Sequence, residues 1–361
     1  MPSSTVLSTE AVLSTDPPGA QAAGEGWLPA ALNGGHRYPD RVDGAAAGQV
    51  VSTFYAARYR HSDVAAWRRR LAAGEICRNG QLLRADLPLA AGDRLQWHRP
   101  PWQEGAVPAL PGPLFDDGDL LVFNKPSGLP VLPAGGWLAH TVLGQLERQL
   151  AAGEIDAGAG GSPRPVHRLG RFTSGLLLCA RRPAMRAWLS ALLRDSTAGQ
   201  PNPTGAETGS CRKTYRALLQ PPRPGSPLLA LAPGDCLALT TPIGRCPHAR
   251  LGTIWAAACA TGATSTSLAA RSTLTLLWRT DRSWLVELKI ASGRPHQIRI
   301  HTAAAGAPLL GDPLYGPGGL ANPQALPGDG GYHLHAHRLR LPLEDGRLLE
   351  LEAPLPAWAG A

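Results

Sequence analysis

The chain has 361 residues, 43% of them hydrophobic, and a formal net charge of +8. That length allows one large domain or a large domain with a small companion, and the basic balance favours a polyanionic partner, nucleic acid first, though a basic enzyme that never meets nucleic acid has the same charge. No apolar run reaches membrane-spanning length, and Met1 to Gly26 has neither the basic-then-apolar pattern of a secretory signal nor the arginines of a transit peptide.

In chain order, residues 1–49 read as a disordered lead-in. A small module is expected over residues 50–99. Within it, "DVAAWRRRLAAGE" has a helix start signal in Asp63 and apolar Val64, Trp67 and Leu71 at helical spacing. Arg68, Arg69 and Arg70 then fan across the exposed side, which suits RNA backbone contacts and, almost as well, a plain solvated face. Asn79-Gly80 is a two-residue hairpin signal, and Gly92-Asp93 marks a turn before a strand from Arg94 to His98. Residues 100–113, rich in Pro and Gly, read as a linker.

The larger domain is expected over residues 114–358. It opens with a turn at Asp116 to Asp119 and an apolar strand, Leu120 to Phe123, that stops at Lys125-Pro126. "SGLLLCA" and "KTYRALL" read as strands. Between them a helix carries Met185, Trp188, Leu189, Leu192 and Leu193 on one face, a packing stripe rather than a cofactor box. Gln220 to Ser272 has weak periodicity and fixes no element. A hairpin around Thr280-Asp281 follows. "SGRPHQIRIHTAAAG" reads as a helix with Pro295 in its first turn and Gly306 at its C-terminal cap; "HLHAHRLRLP" and "RLLELEAPLP" close the chain as strands.

The cysteines Cys77, Cys179, Cys211, Cys236, Cys246 and Cys259 form no C-x-x-C pair and fit reduced thiols of a cytoplasmic protein. Only Lys125, Lys213 and Lys289 are lysines, a bias that reflects genome composition more than phosphate chemistry. His333, His335 and His337 alternate along one strand face, but no acidic or cysteine neighbour completes a metal site.

Four segments carry the chemistry: "NKPSGLPV", "PVHRLGRFTSGLLLCA", "RKTYRALL" and "SGRPHQIRIHTAAAGAPLLGDPLYG". In this order and spacing they resemble the pseudouridine synthases of the RluA type. The preceding basic helix and strands look like the S-four-like RNA-binding module often joined to that family. The resemblance runs from about Asp63 to the C-terminus and is weakest between Gln220 and Ser272. It implies an α+β catalytic fold on a mixed, largely antiparallel sheet, preceded by a small α/β RNA-binding module. It also implies isomerisation of uridine to pseudouridine in structured RNA, ribosomal or transfer, by a monomer that uses no metal and no organic cofactor. The target base must leave the stack before any protein group can reach it.

The resemblance implies roles residue by residue. Tyr215 matches the tyrosine that stacks beside the target base, Arg299 the arginine that pairs with the family's essential aspartate, and Arg168 the arginine that fills the gap left by the flipped base. His167, Arg171 and Lys125 are candidate RNA contacts beside it, with Arg68, Arg69 and Arg70 on the small module. The aspartate position itself holds Gly170, which can neither attack carbon nor take a proton. The plain alternative is a glycine that permits a tight turn with positive φ. Three readings stand: an inactive RNA-binding relative, a carboxylate supplied from elsewhere, with Asp116, Asp117 and Asp119 as candidates, or a branch with another reactive group. If Arg299 keeps the family geometry, some acid, phosphate or anion must lie against its guanidinium, because a buried unpaired charge is costly. Asp312 and Tyr315 in "GDPLYG" read as architectural.

Overall fold

The first long strand is held by polar side chains. This computed structural model describes residues 26–195, 211–258, 267–343, 346 and 348–360. Strand β1 (His36–Arg41) contains Pro39 and several charges, yet it pairs antiparallel with Arg94–Arg99 further on. Its Tyr38 stacks on Trp97 at 5.0 Å, and Asp40 accepts a hydrogen bond from the Tyr59 hydroxyl at 2.8 Å. As an edge strand it tolerates its proline. The lead-in expectation is therefore corrected for residues 26–49; residues 1–25 lie outside the described part.

Helices α1 (Val51–Arg58) and α2 (Val64–Ala72) pack on this sheet, which is completed by β2 (Ile76–Arg78), β3 (Gln81–Leu83) and β4 (Arg94–Arg99) in the order β1-β4-β2-β3. Asp63 caps α2 by accepting from the Ala66 amide at 2.7 Å. Asn79 and Gly80, with φ of 51° and 85°, form the two-residue hairpin turn.

The stretch expected as a linker is built into the structure. Gln103–Glu104 pairs with Ala31–Leu32, and Val107–Pro108 pairs with Trp27–Leu28. Prolines leave this backbone short of partners of its own, and two glutamines of α3 (Val142–Ala151) supply them. Gln145 accepts from the Leu110 amide at 2.7 Å and donates to the Pro108 carbonyl at 3.0 Å, while Gln149 donates to the Leu110 carbonyl at 3.1 Å.

The large sheet has ten strands. We label β5 (Phe115–Asp116), β6 (Leu120–Lys125), β7 (Thr173–Ala180), β8 (Arg212–Leu219), β9 (Cys236–Leu239), β10 (Ile243–His248), β11 (Gly252–Ala257), β12 (Ser272–Arg279), β13 (Trp284–Ile290), β14 (Leu334–Pro342) and β15 (Leu348–Glu352). The sheet order is β9-β12-β13-β8-β14-β7-β6-β5, with β15 also on β14 and Arg164–Pro165 also on β7; β10 and β11 form a separate hairpin. Helix α4 (Pro183–Asp195) follows β7, and α5 (Gln297–Ala304) follows β13. Alternate residues of β6 and β7 go to opposite faces: Leu121, Phe123 and Leu177 toward α3, Leu120, Val122, Leu176 and Leu178 toward Leu189 and Leu193 of α4. Burial on both faces explains why these strands read as unbroken apolar runs.

Among the described residues, all strand pairs are antiparallel except β7 with β14. That pair is short, Thr173–Gly175 against Leu334–Ala336, and then the strands diverge. Gly175 has φ of 99°, and a Cβ there would sit 2.2 Å from the Ala336 carbonyl oxygen, so only glycine allows this approach. On its other edge β14 sets Ala336 opposite Tyr215. The split thus opens between the "HRLG" turn and the "KTY" strand. Among the described residues no helix is long and apolar enough to cross a membrane.

Candidate active site

The turn after Arg168 is closed by the Thr173 amide donating to the Gly170 carbonyl at 3.0 Å. Gly170 is exposed, and its φ is not left-handed, so the tight-turn explanation for glycine is corrected. The reason is space: a Cβ at residue 170 would lie 2.2 Å from the Tyr332 hydroxyl oxygen and 3.3 Å from Thr173 Oγ1. Tyr332 Oη and Thr173 Oγ1 are 3.2 Å apart and hydrogen-bonded.

Beneath Tyr332 lies Arg299. Its guanidinium rests 4.2 Å from the Tyr332 ring and 5.1 Å from the Tyr315 ring. Nε and Nη2 donate to the two carboxylate oxygens of Asp312, both at 2.7 Å, with 3% and 1% of the two side chains exposed. This bidentate pair is the acid that a buried arginine requires. Asp312 also accepts from the Leu314 amide at 2.9 Å, so its turn-making role and its ionic role coincide. Burial alone would lower the Arg299 pKa, but the hydrogen bonds and charge of Asp312 raise it.

Helix α5 is buried although Gln297, Arg299, His301 and Thr302 are polar. Gln297 donates to the Arg271 carbonyl and to Ser272 Oγ and accepts from Ser292 Oγ, which fixes the helix on the start of β12 and so aims Arg299. Pro295 stands just before the N-cap, not in the first turn. The N-cap is His296, in the left-handed region at φ 56°, and its Nδ1 lies 2.6 Å from the Tyr315 hydroxyl. Burial, then the charge of Arg299, hold the His296 pKa down at about 3, with Arg168 adding to the same effect. Arg168 itself is exposed at the turn.

Tyr215 packs against the cluster that holds Tyr332 and Phe172 and against the one that holds Leu169 and Ala336. Burial, then Cys211, push its hydroxyl up to about 12, so it is a neutral stacking and donor group near pH 7. Arg299 reaches the Gly170 turn through Tyr332, Arg168 stands two residues before Gly170, and Tyr215 lines a hollow with His167 and Ala336.

Other expected contacts fall elsewhere. Lys125 is fully buried, and its ammonium donates to the carbonyls of Pro126, Leu129 and Arg171 at 2.9, 2.8 and 3.0 Å; it stitches the loop after β6 to the Gly170 turn and cannot meet RNA. Arg171 is a brace, its Nε donating to the Gly128 carbonyl at 3.0 Å and its plane lying over Trp137 and Phe172. His167 turns inward. Its Nε2 accepts from the Leu178 amide at 3.1 Å, giving β7 a partner where β14 has left, beside a hollow of about 20 Å³ shared with Lys213 and Tyr215. Burial, then Lys213, hold its pKa at about 3. Asp116 and Asp119 pair with Arg181 and Arg182, and Asp117 caps the amides of Asp119 and Leu120. They sit at the far end of β6 from Lys125, about 17 Å at ~3.4 Å per residue, and do not supply the missing carboxylate. On the small module Arg68 pairs with Asp86, Arg69 is exposed, and Arg70 does not fan outward but lies over Trp67 and Trp97.

The family model described as RNA pseudouridylate synthase matches residues 119–304, the span from β6 to the end of α5. The chain belongs to this family. A protein of Synechocystis sp. named an uncharacterized RNA pseudouridine synthase is 40% identical over 84% of this chain and 93% of its own length. Proteins named RNA pseudouridine synthase 5 are 36% identical, over 94% of this chain and 91% of the relative in Oryza sativa subsp. japonica, and over 90% and 94% in Arabidopsis thaliana.

Three members of this synthase's site escape sequence reasoning. Tyr332 lies in the Gly-rich "GDGGYHLH" and shows no periodicity that separates it from a loop aromatic. His296 and Tyr315 belong to segments already singled out. Their signal was the unusual density of polar groups along a short helix, which a solvent-facing helix shows as well.

Proposed function

We propose that this chain converts uridine to pseudouridine within structured RNA, ribosomal or transfer, and that the cleft at the Gly170 turn receives one extruded nucleotide. The observation that carries the reading is the Arg299–Asp312 pair, buried under the rings of Tyr315 and Tyr332, the latter with its hydroxyl against Gly170. A cation fixed this firmly keeps its field in place while charge develops on the reacting sugar and base. Tyr215 would stack on the target uracil. Arg168, exposed at the turn, would enter the gap in the helix, where its planar guanidinium stacks on neighbouring bases. A relative at 32% identity over 56% of this chain is named ribosomal large subunit pseudouridine synthase D, which favours ribosomal RNA among the substrates.

The small module carries the sequence-independent part of binding. Its arginines displace counterions, so affinity falls as salt rises. The reading also places the protein in the cytoplasm, where its thiols stay reduced, and as a monomer.

The test uses RNA tritiated at C5 of uridine, prepared from cells lacking this protein. A working synthase releases tritium to water as the new carbon–carbon bond forms. RNA binding without release would instead make the chain a non-catalytic binder.

A further inference from the structure

The site holds a buried cation and its counter-charge, but at residue 170 it holds no side chain. The space where one would begin is taken by the hydroxyl of Tyr332. The ring of this tyrosine is buried, with 2% of the residue exposed, and wedged between the Arg299 guanidinium and the edge of Phe172. Only its oxygen points at the exposed glycine. We propose that the Tyr332 hydroxyl is the nucleophile of this site, set at the turn in place of a carboxylate.

Other acids near the turn are committed. Both oxygens of Asp312 are held by Arg299, and moving either would leave a buried cation unpaired. Asp329 is exposed, and its Oδ2 accepts from the Leu326 amide at 2.8 Å. Among the described residues, Tyr332 Oη has only Thr173 Oγ1 as a hydrogen-bond partner. Tyrosine serves as the nucleophile of sialidases at an anomeric carbon.

The step balances as follows. The phenol gives its proton to water, Oη bonds to C1′, and the C1′–N1 bond breaks with its electron pair leaving on the uracil. The base turns and its C5 bonds to C1′ while the C1′–Oη pair returns to oxygen. The phenolate takes the C5 proton, which exchanges with water, and N1 takes a proton from water. Uridine and pseudouridine have the same composition, so no oxidant or reductant enters.

This inference rests on the proposed activity, and one series separates the two. Wild type, Y332F, G170A and the double variant are compared for tritium release from the C5-tritiated RNA, for RNA affinity and for melting temperature. Absence of release from wild type sinks the activity itself. With wild type active, Y332F is expected to lose about 1,000-fold in release while RNA affinity stays within about two-fold, the ring and its contacts being kept. Release by Y332F within ten-fold of wild type overturns Tyr332 as nucleophile. G170A places a Cβ against the hydroxyl and lowers the melting temperature; in the Y332F background the nearest ring atom is Cζ at 3.5 Å, ordinary contact, so that cost shrinks. Should Y332F fold poorly, wild type decides: single-turnover reactions quenched in denaturant are digested and the ribose adduct localised by fragmentation. An adduct on Tyr332 supports the proposal, and one on Asp312 or Asp329, or none, overturns it.

Discussion

Of the arginines that lie on aromatic rings in this molecule, Arg299 and Arg70 are held in opposite ways. Arg299, in the catalytic domain, is 4.2 Å from the Tyr332 ring, and its donors go to both oxygens of Asp312. Arg70, in the small module, lies 4.4 Å from Trp67 and 4.9 Å from Trp97, and its Nη1 is buried without an acceptor. The first cation is fully committed inside the protein and serves as a fixed field. The second has a platform but no acceptor on that buried nitrogen, and the rest of its half-buried side chain keeps some surface to solvent. Ring contact alone therefore does not say how an arginine is held; the carboxylate does.

The largest expected effect breaks the committed half of this comparison. Asp312→Ala leaves the Arg299 charge buried and unpaired, and should cost about 3–5 kcal/mol in stability with loss of tritium release. Urea denaturation with Arg299→Met alongside checks it. Removing both partners should recover part of the loss, since an absent pair is cheaper than half of one. A cost below about 1 kcal/mol would mean that Arg299 is as solvated as a surface cation.

How much of this was legible beforehand divides along the same line. Strands buried on both faces announce themselves as apolar runs, so β6 and β7 and the stripe on α4 were readable, as were the Asp63 cap and the Asn79-Gly80 turn. The Arg299 assignment came from a motif; its need for an acid came from electrostatics. That Asp312 is this acid was not readable, because the pair is 13 residues apart across a turn and either residue alone is a commonplace. Tyr332 was harder still. What makes it matter is the absence of a Cβ at residue 170, a spatial fact without local trace. The module's first strand escaped because His36–Arg41 is held by Tyr38 stacking and Asp40 pairing rather than by apolar alternation.

A middle-sized effect sits at the joint between the two regions. Glu104 accepts from the amides of Leu138, Ala139 and His140 and from Asn33 Nδ2, so one carboxylate ties the N-terminal strands to the loop that enters α3. Burial works to raise its pKa, but the Leu138 and His140 amides, Asn33 and Ala139 together bring it below the usual 4.5. A depressed folded value means that the stability is present above the unfolded pKa and is lost as pH falls through the folded one. Glu104→Gln should therefore cost about 2 kcal/mol at pH 7. The gap between wild type and variant should close as pH falls from near 4.5 through the lower folded value. A gap constant across that window would show that shape, not charge, holds the joint.

The smallest expected effect concerns the open half. Arg70→Met keeps an aliphatic cover over Trp67 and Trp97 and removes only the charge, so its cost in stability should stay near the ~0.5–1 kcal/mol of an exposed ring–cation contact. Its effect on RNA should be of another kind. A lost phosphate contact lowers the slope of log affinity against log salt by about 0.7–0.9, uniformly across RNA sequences, and leaves the rate of tritium release from bound RNA unchanged. Arg68→Met, whose guanidinium already meets Asp86 at 3.2 Å, should change the slope less. If the two variants altered the slope equally, the free nitrogen of Arg70 would have no special claim on phosphate, and its place on the indoles would be packing alone.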